Sequence, residues 1–222
     1  MAGSGCSELF DLHEPLHADA AVAATDASDG GITVDAASDA ATACASPILY
    51  EGFAGALPCA AWGNSYATGT QLAQANGMLT VTPSSTAGSV GGCVTPQNNY
   101  SFGRGVTVRV NEVLQGAGTY TIMQVHGADL QMDVIGGALQ LENASGTSAY
   151  ASTPYSSIMK WWRIRPSGSS MIGEYSTDGV SWTLLATRAV APPLQIGVEI
   201  AAGSNNGGNV GQAAFDQLMI CP

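Results

Sequence analysis

Positive charge is what this sequence most lacks: of 222 residues, six are Lys or Arg against 17 Asp or Glu, giving a formal net charge of -11. Binding to a nucleic-acid backbone needs a basic face, and six bases spread from Arg104 to Arg188 do not assemble one, so nucleic acid is excluded as a partner. His is scarce too. His13 and His17 lie near the start, leaving His126 as the one His in the body of the chain, and no Gly-x-Ser-x-Gly elbow is present, so Ser–His nucleophilic catalysis is not expected. The Gly pairs sit between strand-like runs rather than ahead of a helix, which excludes phosphate loops. No stretch sustains a 3.6-residue period, so little helix is expected.

What charge there is falls unevenly. Residues 1–45 hold eight acids (Glu8, Asp11, Glu14, Asp19, Asp26, Asp29, Asp35, Asp39) and no base, so they carry -8 and the remainder only -3. Ala18 to Ala45 contains twelve Ala and five Asp in 28 residues, with no aromatic. Such a segment buries too little surface to offset its ordering entropy, and its like charges extend it, so it reads as a disordered tether. Ahead of it, Ala2-Gly-Ser-Gly-Cys6 resembles the lipobox of bacterial lipoproteins, departing from it in Gly3, where Leu is usual, and in having no basic and apolar run before it. The resemblance implies a lipid on Cys6 and an exported chain, either a cell-envelope lipoprotein or a secreted protein, that meets the membrane only through that anchor. The other four Cys are even in number and form no CxxC or zinc-spaced cluster, which suits disulfides in an oxidising compartment. Domain ends often lie close together, so Cys44 is paired with Cys221 and Cys59 with Cys93; the two other pairings stay open.

From residue 46 onward, short alternating runs broken by Gly, Asn, Pro and Ser predict strands over 49–53, 78–82, 105–113, 119–126, 130–135, 138–142, 158–165, 171–176, 182–187, 194–202 and 212–221. The expected architecture is an all-β antiparallel sandwich over 46–222 behind the 1–45 leader and linker. Val106, Val108 and Val110 share one face of their strand, as do Leu194, Ile196, Val198 and Ile200. Tight hairpins are expected at Gly136-Gly137 and Asp178-Gly179. If the Pro166–Ser170 turn carries a bulge, Trp162 faces Gly173 and Ile164 faces Met171, leaving Trp161, Arg163 and Arg165 beside Ile172 and Glu174 on the other side; an unbulged register swaps these faces.

The series Tyr50-Glu-Gly-Phe53, Trp62, Asn76-Gly-Met-Leu-Thr-Val81, Trp162-Arg-Ile164, Tyr175-Ser-Thr-Asp-Gly-Val-Ser-Trp182 and Ala214-Phe-Asp216 resembles the concanavalin A-like lectin/glucanase jelly rolls, most nearly their non-catalytic, laminin-G-like branch. The glucanase branch works with a Glu-x-Asp-x-(x)-Glu strand that aims alternate carboxylates at one face. No such triplet occurs; Asp129-Leu-Gln-Met-Asp133 comes nearest, with Glu142 within reach across the Gly136-Gly137 hairpin. The resemblance therefore implies binding without catalysis. Sugar recognition needs an aromatic plate and converging polar groups, for which Trp161, Arg163 and Glu174, with Tyr155, Asn205 and Asn206 from loops, are the candidates. The competing reading is an Arg163–Glu174 ion pair beside a Trp packed under a loop. No cofactor is expected. Calcium, frequent in related jelly rolls, would find oxygen donors in Asn205, Asn206 and Asn209 but no acid among them. The partner expected is an extracellular glycan; the alternatives are a cell-surface protein bound by an adhesion module and, more remotely, a glycosidase substrate.

Overall fold

The computed structural model describes residues 44, 46–207 and 211–222, so the leader and linker other than Cys44, with Cys6 among them, and Asn209 lie outside the described residues. The described residues form sixteen strands. The first eight are β1 (Leu49–Glu51), β2 (Asn64–Thr68), β3 (Thr70–Ala75), β4 (Met78–Pro83), β5 (Ser89–Val94), β6 (Tyr100–Ser101), β7 (Gly105–Glu112) and β8 (Thr119–His126). The rest are β9 (Leu130–Ile135), β10 (Ala138–Asn143), β11 (Ala149–Pro154), β12 (Trp161–Ser167), β13 (Ser170–Ser176), β14 (Thr183–Arg188), β15 (Gln195–Ser204) and β16 (Ala213–Cys221). One sheet runs β14-β13-β12-β7-β16-β4-β3 with β1 beside β16; the other runs β11-β10-β9-β8-β15-β5-β2 with β6 beside β15. Their pairings are antiparallel. All eleven expected strands are present, joined by β2, β3, β5, β6 and β11.

The period-two pattern builds the core. Val106, Val108 and Val110 of β7, Trp162 and Ile164 of β12, and Phe215 and Leu218 of β16 face Met123, Met132, Leu139, Leu141 and Ile200 of the second sheet, all fully buried in one cluster. Gly136 and Gly137, both at positive φ, close the β9–β10 turn as expected. Both disulfides join the pairs read from the sequence, Cys44–Cys221 and Cys59–Cys93.

Three local expectations change. The Asp178-Gly179 turn lies in a six-residue connection, 177–182, between β13 and β14 rather than in a tight hairpin. The β12–β13 hairpin has no bulged five-residue loop: β12 runs on through Pro166, and Ser167 pairs with Ser170. Trp162 therefore lies opposite Tyr175, and Ile164 opposite Gly173. The inward and outward faces stay as expected because the shift is by two residues. The space left by Gly173 goes to the opposite sheet, since a Cβ there would come within 2.7 Å of Leu141. Leu194 is 89% exposed just ahead of β15, so of the four expected residues Ile196, Val198 and Ile200 carry the inward stripe, continued by Ala202.

Candidate functional site

On the outer face of the first sheet, Trp161, Arg163 and Glu174 come together. Arg163 lies directly opposite Glu174, and its Nη2 is 2.7 Å from Glu174 Oε2. Arg165 donates to the same carboxylate from Nε at 2.9 Å and from Nη2 at 3.1 Å. The Arg163 guanidinium stacks 4.0 Å above the Trp182 ring, while the Trp161 indole lies against Gly179 of the Asp178 turn. That turn is fixed by Asp178 Oδ1, which accepts the Val180 and Ser181 N–H groups at 2.8 and 2.7 Å. Those bonds hold the Asp178 carboxyl down at about 2. The trio is thus joined by ion pairing and stacking to its own sheet.

The other three candidates lie elsewhere. Tyr155 follows β11, takes the Gly137 carbonyl on its N–H at 2.8 Å, and lines an open cleft of about 580 Å³ with Asn111, Gln115 and Gln212. Burial raises its phenol pKa. Asn205 and Asn206 sit beyond β15 against the β7–β8 connection, with the Asn205 N–H on the Gly118 carbonyl at 2.8 Å.

The outer face of the second sheet holds a polar array that the sequence reading passed over. Register sets it out in rows. Glu199 of β15 lies opposite Gln124 of β8, Gln124 opposite Gln131 of β9, and Gln131 opposite Glu142 of β10. In the adjoining row, Tyr66 of β2 is followed by Gly92 and then Ala201. These two small residues let the phenol pass over them and donate to Glu199 Oε1. His126 Nε2 meets Glu199 Oε2 at 3.1 Å, and its Nδ1 faces the Gln124 amide nitrogen at 3.4 Å. The imidazole thus bridges the Glu199 carboxylate and the Gln124 amide, with Nε2–H donating to Glu199. Tyr120 extends across Gly203, where a Cβ would come within 2.3 Å of its hydroxyl. Burial and the Glu199 charge push the Tyr120 phenol up to about 12 and raise that of Tyr66 further. Both rings stay half-buried.

Two strands along, Gln131 Nε2 donates to Asp133 Oδ2 at 2.9 Å and to Glu142 Oε1 at 2.7 Å, so the hairpin does bring Glu142 beside Asp133. Asp133 is fully buried and its Oδ1 has no partner. Desolvation, with Glu142 close by, holds its carboxyl well above the usual carboxylate range, against the opposing pull of the Gln131 amide. A carboxyl with a raised native pKa binds more protons folded than unfolded. Its contribution to stability is therefore full at acid pH and is lost as pH rises from about 3.9, the ordinary Asp value, through the native value. Asp133→Asn removes that loss. The variant is expected to melt about 2–6 °C higher than the parent at neutral pH and level with it near pH 4. Calorimetry at the two pH values checks this, and a variant less stable at neutral pH would contradict the protonated pair.

Against the glucanase pattern, the stretch Gln131-Met-Asp133-Val-Ile-Gly136 keeps the central Asp but has Gln first and Gly last. Glu199 stands two strands from Asp133, about 10 Å at ordinary strand spacing, whereas Asp133 and Glu142 share one amide group with no room for a sugar between them.

Two eight-stranded antiparallel sheets in this order make a concanavalin A-like jelly roll. Among solved structures, the chain is similar to the catalytic domain of an endo-1,3-β-glucanase (laminarinase) from Thermotoga petrophila, with TM-score 0.55 and 9% identity over 78% of this chain and 96% of that one. A non-specific endo-β-1,3(4)-glucanase of family GH16, crystallised with an oligosaccharide, gives TM-score 0.55 and 10% identity over 78% and 93%. An immunostimulatory antigen and pseudo β-1,3-glucanase of Mycobacterium tuberculosis gives 0.53 and 12% over 78% and 97%. At such identities the likeness establishes the fold alone. No family model matches the sequence, and no curated protein matches it either.

Proposed function

We propose that the chain is a glycan-binding module without hydrolytic activity, and that the glycan lies on the outer face of the second sheet. The observation that carries this reading is the Tyr66–Glu199–His126 network. It sets two half-buried aromatic rings beside a fixed carboxylate and the Gln124 amide, which is the combination a pyranose needs for one apolar face and a ring of hydroxyls. The carboxyl geometry supports binding over cleavage. A glycosidase flanks the scissile bond with carboxyls about 5–5.5 or 6.5–9.5 Å apart. Neither the sealed Asp133–Glu142 pair nor the remote Glu199 offers a reachable pair of that kind. The glucanases and the pseudo-glucanase of the same fold support a glycan as the ligand class. Two disulfides agree with an exported protein. On this reading Cys6 carries the lipid and the acidic segment displays the domain at the cell envelope.

Affinity electrophoresis of the full chain in gels containing laminarin tests the proposal. The parent should be retarded, Tyr66→Ala should bind about tenfold or more weakly, as expected when a stacking ring is lost, and no reducing ends should appear. Retardation abolished by Trp161→Ala but not by Tyr66→Ala would move the site to the first sheet, and release of sugar would overturn the non-catalytic reading.

A further inference from the structure

We infer that the glycan received by this face carries no anionic groups, and that amine-bearing glycans bind it more tightly than neutral ones. The inference rests on the glycan reading above and specifies its ligand class.

The two sheets differ in charge. Arg109 lies on β7, Arg163 and Arg165 on β12 and Arg188 on β14, while Arg104 and Lys160 immediately precede β7 and β12. Every base of the chain therefore belongs to the first sheet or its flanks. The strands of the second sheet contain no Lys or Arg, yet their outer face holds the Glu199 and Glu142 carboxylates, while the buried Asp133 carboxyl beside Glu142 stays protonated. Arg188 is the base that reaches toward that sheet. Its Nη1 donates to the Asp129 carbonyl at 2.8 Å, and its guanidinium sits 5.1 Å from the Tyr150 ring centre, at the β11 edge.

Proteins recognise carboxylates and sulfates through forked Arg contacts or the N–H groups of a helix N-terminus. The described residues offer this face neither. The Tyr66 hydroxyl and the His126 Nε2–H, which could otherwise donate to an arriving anion, are both directed at Glu199. A uronate or sulfate placed over these rings would thus meet a fixed negative charge with the Tyr66 and His126 donors already engaged. The formal charge of -11 repels polyanions at longer range in the same sense. An ammonium group on the sugar reverses each of these terms: it brings donors to a face rich in acceptors and a positive charge to one without any.

Three ligands on one backbone test this: laminarin, aminoethyl-laminarin and carboxymethyl-laminarin of equal substitution, titrated against the full chain. Aminoethyl-laminarin should bind about tenfold tighter than laminarin at low salt, and carboxymethyl-laminarin at least about tenfold more weakly. Both gaps should shrink as ionic strength rises from about 0.01 to 0.1 M, where the screening length falls from about 30 to 10 Å. Glu199→Gln, which keeps an acceptor for Tyr66, should bring the amine preference close to unity. Carboxymethyl-laminarin binding as tightly as laminarin, and lost in Tyr66→Ala, would overturn the inference while leaving the glycan reading in place. Failure of all three ligands to bind would overturn that reading, and this inference with it.

Discussion

Trp162→Ala is expected to cost the fold about 3–5 kcal/mol, the usual range for deleting a buried aromatic side chain. A domain of this size has a total stability of about 5–15 kcal/mol, so the variant should be partly unfolded at physiological temperature. Trp162 is fully buried between Val108 of β7 and Tyr175 of β13, and its indole N–H donates to the Met159 carbonyl at 3.0 Å. Truncation would empty a large volume at the middle of the first sheet and leave that carbonyl without its partner. The neighbouring residue is the control. Trp161 points to the outer face, so Trp161→Ala should cost only about 1 kcal/mol. Guanidinium denaturation of the two variants separates the cases, and equal losses would mean that the β12 faces have been assigned wrongly.

Reduction of the disulfides should be the second large effect. By chain entropy, bridges spanning separations of 34 and 177 residues are each worth on the order of 4–5 kcal/mol. Their surroundings reverse the order that loop length alone would give. Cys44–Cys221 is seconded by the pairing of β1 with β16 and by the Ile48 N–H on the Ile220 carbonyl at 2.9 Å, contacts that hold the same two segments together without sulfur. Cys59 and Cys93 are fully buried, and Cys59 lies in a connection whose N–H is held by Gln74 Oε1 at 3.1 Å. Replacing both with Ser would add two buried hydroxyls to the lost constraint. The Cys59→Ser/Cys93→Ser variant should therefore melt well below Cys44→Ser/Cys221→Ser, and reductant should lower the parent toward the former. A melting temperature indifferent to reductant would contradict this account.

The inward stripes of β7 and β15 were legible because large apolar residues alternate there, and the Gly136-Gly137 turn fixed the register that brings Glu142 to Asp133. What stayed hidden lies in strands with little signal of their own. Asn64–Thr68 has one large side chain, and Ser89–Val94 contains Gly91 and Gly92, residues that weaken strand propensity. They are strands because β15 supplies hydrogen bonds to β5, and β5 to β2. Tyr66 lies on one of them, and its partner Glu199 is 133 residues away. Local periodicity shows that Glu199 faces outward, but it carries no information about which side chain a non-sequential crossover will lay beside it. The Trp162–Gly173 register failed for a smaller reason: Pro166 reads as a turn residue, yet the strand continues through it.

The Cys44–Cys221 bridge also decides how the domain bears load. A pull applied to the chain upstream of Cys44 passes through two sulfur atoms to the end of β16, and residues 45–220 lie outside that covalent path. Tension along the chain would reach the C-terminal strand without unzipping either sheet.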